Sequence, residues 1–175
     1  MEEIIDAGRF APSSLNTQPW KFVVITDKKL IVELSLAIRK FIKRLYPLLP
    51  FLRLFIKELK DDMIVGAIRK TATSSDDTVF YGAPALVIIA SDRKDHWVAV
   101  NCALAAQNMM LAAYSLGIGS CFIGRGDVIE RRKRLLKKVG IEKGYKIQAS
   151  MIFGYVKDDP KSAPHRKSDN ILSWK

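Results

Sequence analysis

Residues 96–116 constrain this chain more than any other stretch. Val98, Val100, Ala103, Leu104, Ala106, Met109, Met110, Leu111 and Ala113 put apolar groups nearly all the way round a helix. A helix without a polar face has to be packed on several sides. Its polar interruptions, Asn101, Gln107 and Asn108, need hydrogen-bond partners wherever they are buried. Gly117 follows in the position that a helix-terminating glycine takes. The remaining sequence must therefore supply structure to surround this element.

Sheet is the natural candidate. Phe22-Val23-Val24-Ile25 and Ala85-Leu86-Val87-Ile88-Ile89-Ala90 are short β-branched apolar runs that read as buried strands. Gly119-Ser120-Cys121-Phe122-Ile123-Gly124 reads as a short strand bracketed by glycines, and residues 146–155 alternate well enough for another. The first helix is under way at Met1, with Ile4, Ile5, Gly8 and Ala11 on one face, until Pro12 stops it. Thr26 or Asp27 can cap a second helix through Leu30, Leu34 and Ile38. Residues 71–77 form a polar loop, and Asp127 with Glu130 forms a capping box for a basic helix ending at Val139. In the tail, Ile171, Leu172 and Trp174 are apolar enough to dock on something. The order of elements predicts an α+β fold, helices flanking a central sheet, in a single domain spanning residues 1–175.

Residues 41–68 differ from the rest, being apolar and basic together. Pro47 and Pro50 forbid one continuous helix there, so two short amphipathic helices are expected. Such a helical insertion can be a lid over a ligand, a membrane-surface patch, or a dimer-contact or core-covering element. The last reading is favoured, and a membrane surface is not expected as a partner.

Several function classes fall away. The net charge of +11 invites a nucleic-acid reading, but the Lys and Arg residues are dispersed and no recognition motif accompanies them. A phosphorylated cofactor or a well-solvated surface explains the charge more simply. Cys102 and Cys121 form no C-x-x-C pair, and His96 and His165 stand far from any ligating cluster, so metal chemistry is not expected and both thiols read as buried and reduced. The acidic start Met1-Glu2-Glu3 is no secretory signal and no apolar run is long enough to span a bilayer, which makes a cytoplasmic location the expectation.

The loop Pro12-Ser13-Ser14-Leu15-Asn16-Thr17-Gln18-Pro19, between helix and strand, is the densest polar motif. On residue types alone it suits a turn whose Ser and Asn cap backbone groups. With Ala11 and Trp20 on either side, however, the loop resembles the FMN-contacting loop of the nitroreductase family. Residues 103–113 and 116–124 resemble that family's central helix and the strand beside its flavin. His165-Arg166-Lys167 falls where the family commonly has a basic residue near the cofactor phosphate. The family also carries an arginine-containing segment upstream of the loop. No counterpart stands in this sequence, and Arg9 does not replace it by position, so an N-terminally shortened member is expected.

The resemblance implies a mostly antiparallel sheet in an interlocked homodimer, with FMN at the subunit interface and NADH or NADPH as electron donor. It implies Pro12, Ser13, Ser14, Asn16, Gln18, Ser120, Cys121, Ile123, Gly124, Arg166 and Lys167 as the cofactor-binding residues, with no catalytic acid or base. The side-chain chemistry agrees. Amides such as Asn16 and Gln18 offer both donor and acceptor to the mixed edge of an isoalloxazine, and Ser13 and Ser14 suit ribityl or phosphate oxygens. Pro12 and Pro19 stiffen the loop, Gly119 and Gly124 permit close backbone approach, and Arg166 can fork onto a phosphate. The implied reaction is reduction of a nitroaromatic, quinone or flavin-type small-molecule acceptor in two half-reactions at one site. Alternatives are a ferredoxin-linked or dehalogenating relative, the basic insertion docking a ferredoxin-like partner, or a non-catalytic flavin-binding protein.

Overall fold

A computed structural model describes residues 1–157, 165–166 and 172–175. Its frame is the strand Ala85–Ser91 (β2), buried at every position. Side chains alternate along a strand, so Leu86, Ile88 and Ala90 enter one core while Ala85, Val87 and Ile89 enter a second on the opposite face. β2 pairs with Lys21–Ile25 (β1) on one side and Lys146–Gly154 (β4) on the other, and Gly119–Phe122 (β3) lies outside β4. Every pairing is antiparallel, in the order β1-β2-β4-β3. The expected α+β architecture with an antiparallel sheet is present. β1 is not the fully buried strand expected, because it lies at the sheet edge and leaves Val24 43% exposed. An apolar run reports strand propensity, and its place in the sheet depends on pairing.

One face of the sheet carries Glu2–Arg9 (α1) and Val98–Ser115 (α5). They pack closely: a Cβ at Gly8 would stand 2.8 Å from Cγ of the buried Met109. α5 ends as expected at Gly117, with φ +70. The amide of Ile118 donates to the Ala113 carbonyl at 2.8 Å and that of Gly117 to Tyr114 at 3.0 Å, closing the last turn. Within one chain, though, α5 is not surrounded. Val100, Leu104, Leu111 and Tyr114 form an exposed stripe along it.

The other face carries Lys28–Leu45 (α2), Leu49–Phe55 (α3), Asp62–Thr73 (α4) and Lys133–Lys138 (α6). Asp27 caps α2, accepting from the amides of Lys29 and Leu30. α2 runs past Ile38 to Leu45, burying Ile31, Leu34, Ile38 and Ile42 at helical spacing. A 3₁₀ turn, Tyr46–Leu48, contains Pro47, and Pro50 falls in the first turn of α3, where no N–H is missed. Only Pro47 interrupts a helix, and in place of two short helices the segment holds the end of α2, all of α3 and the first part of α4. α4 continues into the presumed polar loop, because the Thr71 and Thr73 hydroxyls donate to the carbonyls of Ala67 and Arg69 one turn back.

Two further expectations fail. The basic helix does not open at 127–130: Gly126–Arg131 is a 3₁₀ segment, and α6 begins only at Lys133, without a side-chain cap from Arg132. The Glu130 carboxylate instead accepts from the Ile147 amide of β4. Cys102 is buried but Cys121 is exposed on β3, and both thiols are free. Burial pushes the Cys102 thiol up to about 12, which leaves it inert. In the tail, Leu172 and Trp174 are exposed. Ile171 lies outside the described residues.

Candidate functional site

The motif loop is held in one shape from below. Asn101, on the second turn of α5, is 2% exposed, and its carboxamide oxygen accepts from the Ser14 amide at 3.1 Å. Its Nδ2 reaches Thr17 Oγ1 at 3.4 Å. Ser13 Oγ accepts from the Gln18 amide at 3.0 Å, and Gln18 Nε2 donates to Asn16 Oδ1 at 2.9 Å. Leu15, Asn16 and Gln18 all have positive φ, at 52, 52 and 43°. Left-handed backbone is costly for such residues and persists only where surrounding structure fixes it. The buried Asn101 and the Ser13 cap supply that restraint. Leu15 is 95% exposed, so the strain is not there to bury a side chain. The Asn16–Gln18 bond uses one donor and one acceptor, which leaves Asn16 Nδ2 and Gln18 Oε1 directed to the surface as a donor–acceptor pair.

The second group of expected residues lies elsewhere. Ser120 and Cys121 belong to β3, and Ile123 and Gly124 follow it, with the Ile123 carbonyl held by the Ser150 hydroxyl at 2.7 Å. Cys121, Ile123 and Gly124 border a cavity of about 260 Å³ with Lys70, Thr71 and Arg125. Ser120 and Cys121 border another of about 390 Å³, toward Tyr81 and Gly154. Gly126 sits so close to Ser150 that a Cβ there would overlap its side chain. The turn after β3 therefore admits only glycine at that point.

Within one chain these two groups do not meet. The loop enters β1 and belongs to the α1–α5 face, whereas the turn after β3 lies at the opposite edge, over the α2–α4 face. Three interstrand spacings, about 14 Å of sheet, separate the two edges. Arg166 is exposed in the tail, and Lys167 lies outside the described residues.

Some residues of the site are not among those expected. Asn101 stood out only as a polar interruption in need of a partner, and it proves to be the anchor of the loop. Thr78 borders the smaller cavity, and its Oγ1 is buried without a hydrogen-bond partner among the described residues. Arg125, half-buried, donates to the Thr71 hydroxyl. Burial lowers its pKa and the nearby Tyr81 phenol opposes that shift. The Gly-Arg-Gly run at 124–126 was the one sequence signal for it. Asp77 organises the loop bordering these cavities, accepting from the Ser35 hydroxyl at 2.5 Å and from the amides of Val79, Phe80 and Gly82. Burial alone would raise its pKa, but the Ser35 bond and the three amides outweigh burial and lower it.

Among the described residues no cluster of His, Cys, Asp and Glu could hold a metal ion, and no helix is long and apolar enough to cross a membrane.

The geometry has close parallels. A protein of Archaeoglobus fulgidus named as an NADH dehydrogenase/NAD(P)H nitroreductase is 28% identical over 91% of this chain and 74% of its own length. YfkO of Bacillus subtilis, named as an NAD(P)H nitroreductase, is 26% identical over 99% of this chain and 85% of its own. The structure of a nitroreductase with bound FMN from Bacteroides fragilis superposes with a TM-score of 0.75 at 26% identity, over 99% of this chain and 86% of that one. The model of the nitroreductase family matches residues 1–155, which takes in the loop, α5 and all four strands. Fold, loop and family model agree over nearly the whole sequence, and the chain belongs to the nitroreductase family.

Proposed function

We propose that this protein is an FMN-dependent NAD(P)H oxidoreductase that reduces small nitroaromatic, quinone or flavin-type acceptors, and that its site is completed by a second copy of the chain. The observation that carries this reading is the separation of the two site halves. A pre-shaped polar loop and a glycine-lined strand end, both suited to one ligand, stand on opposite edges and opposite faces of one sheet. A two-fold partner can bring the loop of one copy to the strand end of the other. The exposed stripe on α5, Val100, Leu104, Leu111 and Tyr114, is apolar at helix-pairing spacing and supplies the surface for such a dimer.

The residues present fit a flavin. The free donor and acceptor of Asn16 and Gln18 match its mixed pyrimidine edge. Ser13 and Ser14 suit the ribityl chain, with Arg166 and Lys167 for the phosphate. The bound flavin would supply acceptance of hydride from NAD(P)H and its return to a second substrate. The protein's part is to hold the ring, exclude water through the helical segment over the turn after β3, and leave one ring face open to donor and acceptor in turn. No side chain is assigned a proton-transfer role.

The visible spectrum of the purified protein, before and after added FMN, tests this directly. Flavin bands near one per chain, bleached by NADH or NADPH and restored by a quinone or nitroaromatic, are the expected result. A chain that stays unsaturated with excess FMN would refute the enzyme reading.

A further inference from the structure

A cavity of about 540 Å³ lies beneath the helical segment, between α2, α3 and α4 and the turn after β3. That volume is in the range of small-molecule sites. Phe41, Leu45, Leu49, Leu52 and Ile64 supply walls that would leave the hydroxyls of a sugar or a nucleotide unpaired. Arg125 is the one charged residue on its lining, and it also borders the smaller cavity that holds Lys70 and Thr78. A guanidinium carries five N–H donors in a planar fork. Here the Thr71 hydroxyl takes one of them, and no ion pair among the described side chains engages Arg125. A half-buried cation without a counter-ion is costly unless a ligand restores one.

We propose that this cavity binds an organic acid with an apolar body, the body among Phe41, Leu45, Leu49 and Leu52 and the carboxylate forked onto Arg125. The pairing is bidentate by geometry and discriminates strongly against a neutral analogue of the same shape. Gly124 and Arg125 adjoin the strand end assigned to flavin. Where that reading holds, the acid is held beside the cofactor, whereas its binding stands without it.

Calorimetric titration of the purified protein with octanoate and with 1-octanol decides the matter. One octanoate per chain is expected, bound at least about tenfold more tightly than the alcohol. Arg125→Gln should bring octanoate down to the level of octanol, and Ala67→Trp, which fills the cavity, should weaken both. Equal affinity for acid and alcohol, no saturable binding, or octanoate binding indifferent to Arg125→Gln would overturn the proposal. Should Arg125→Gln fail to fold by circular dichroism, the acid-to-alcohol ratio of the unaltered protein decides alone. A protein that binds octanoate but takes up no FMN would refute the function proposed above and leave this site standing.

Discussion

The two faces of the sheet are built to opposite standards. On the α1–α5 face, packing is tight enough that Gly8 has no room for a Cβ against Met109, and a buried Asn101 fixes a loop with three left-handed residues. On the other face, the segment from Tyr46 to α4 leaves Phe51, Leu54 and Phe55 exposed and encloses an apolar cavity. The first face stores strain in a surface it presents, and the second stores free volume beneath a surface it covers. Rigid geometry suits a cofactor that must be held in one pose, while an under-packed cover suits substrates of differing shape.

Core deletions should reveal this contrast most strongly. Met109→Ala removes a fully buried side chain between α1, α5 and the sheet and should cost about 3 kcal/mol in denaturant unfolding. Leu52→Ala, on a wall that already faces a void, should cost under about 1 kcal/mol. Similar losses at both positions would break the comparison.

Next in size is the loop anchor. Asn101→Leu leaves the Ser14 amide without its acceptor and should destabilise by about 2 kcal/mol, with FMN affinity falling at least about tenfold. A loss of stability with unchanged flavin affinity would mean that the loop's shape does not matter to the cofactor.

Asp77 sharpens the comparison through pH. Its folded-state pKa lies below the ordinary value of 3.8, so its stabilisation is fully present above that value. It is lost as pH falls through the folded pKa, where the native state is forced to take up the proton. Asp77→Asn should therefore lower thermal stability at neutral pH, and the gap from the unaltered protein should close in acid. The smallest effect is expected at Thr17→Val, whose contact with Asn101 is long at 3.4 Å. It should change stability by less than about 0.5 kcal/mol.

What could be read from the sequence was local. The β2 run, the Asp27 cap, the glycine stop after α5 and the motif loop each declare themselves within a few residues, because one pattern has one backbone solution. Position within the sheet did not. The apolar run at 22–25 has the composition of a central strand and lies at an edge. Glu130 has the spacing of a capping box, but tertiary contact with Ile147 claimed its carboxylate. The stripe on α5 has the composition of core and is exposed within the chain, because composition does not report what covers a face. Arg125 and Thr78 owe their places to packing between segments distant in sequence, and beyond the glycines flanking Arg125 no local pattern reports that. The candidate loop and strand end were legible as motifs, and their separation across the sheet was not.

That separation is the central claim, and subunit complementation tests it most directly. A loop variant, Asn16→Ala with Gln18→Ala, and a strand-end variant, Gly124→Trp, should each purify without flavin. Co-expressed, half of the randomly paired dimers combine the two, and each of those carries one intact site of two. Flavin should therefore return to about a quarter of the unaltered level. A co-expressed mixture as colourless as its parents would place both halves of the site within one chain and contradict the account.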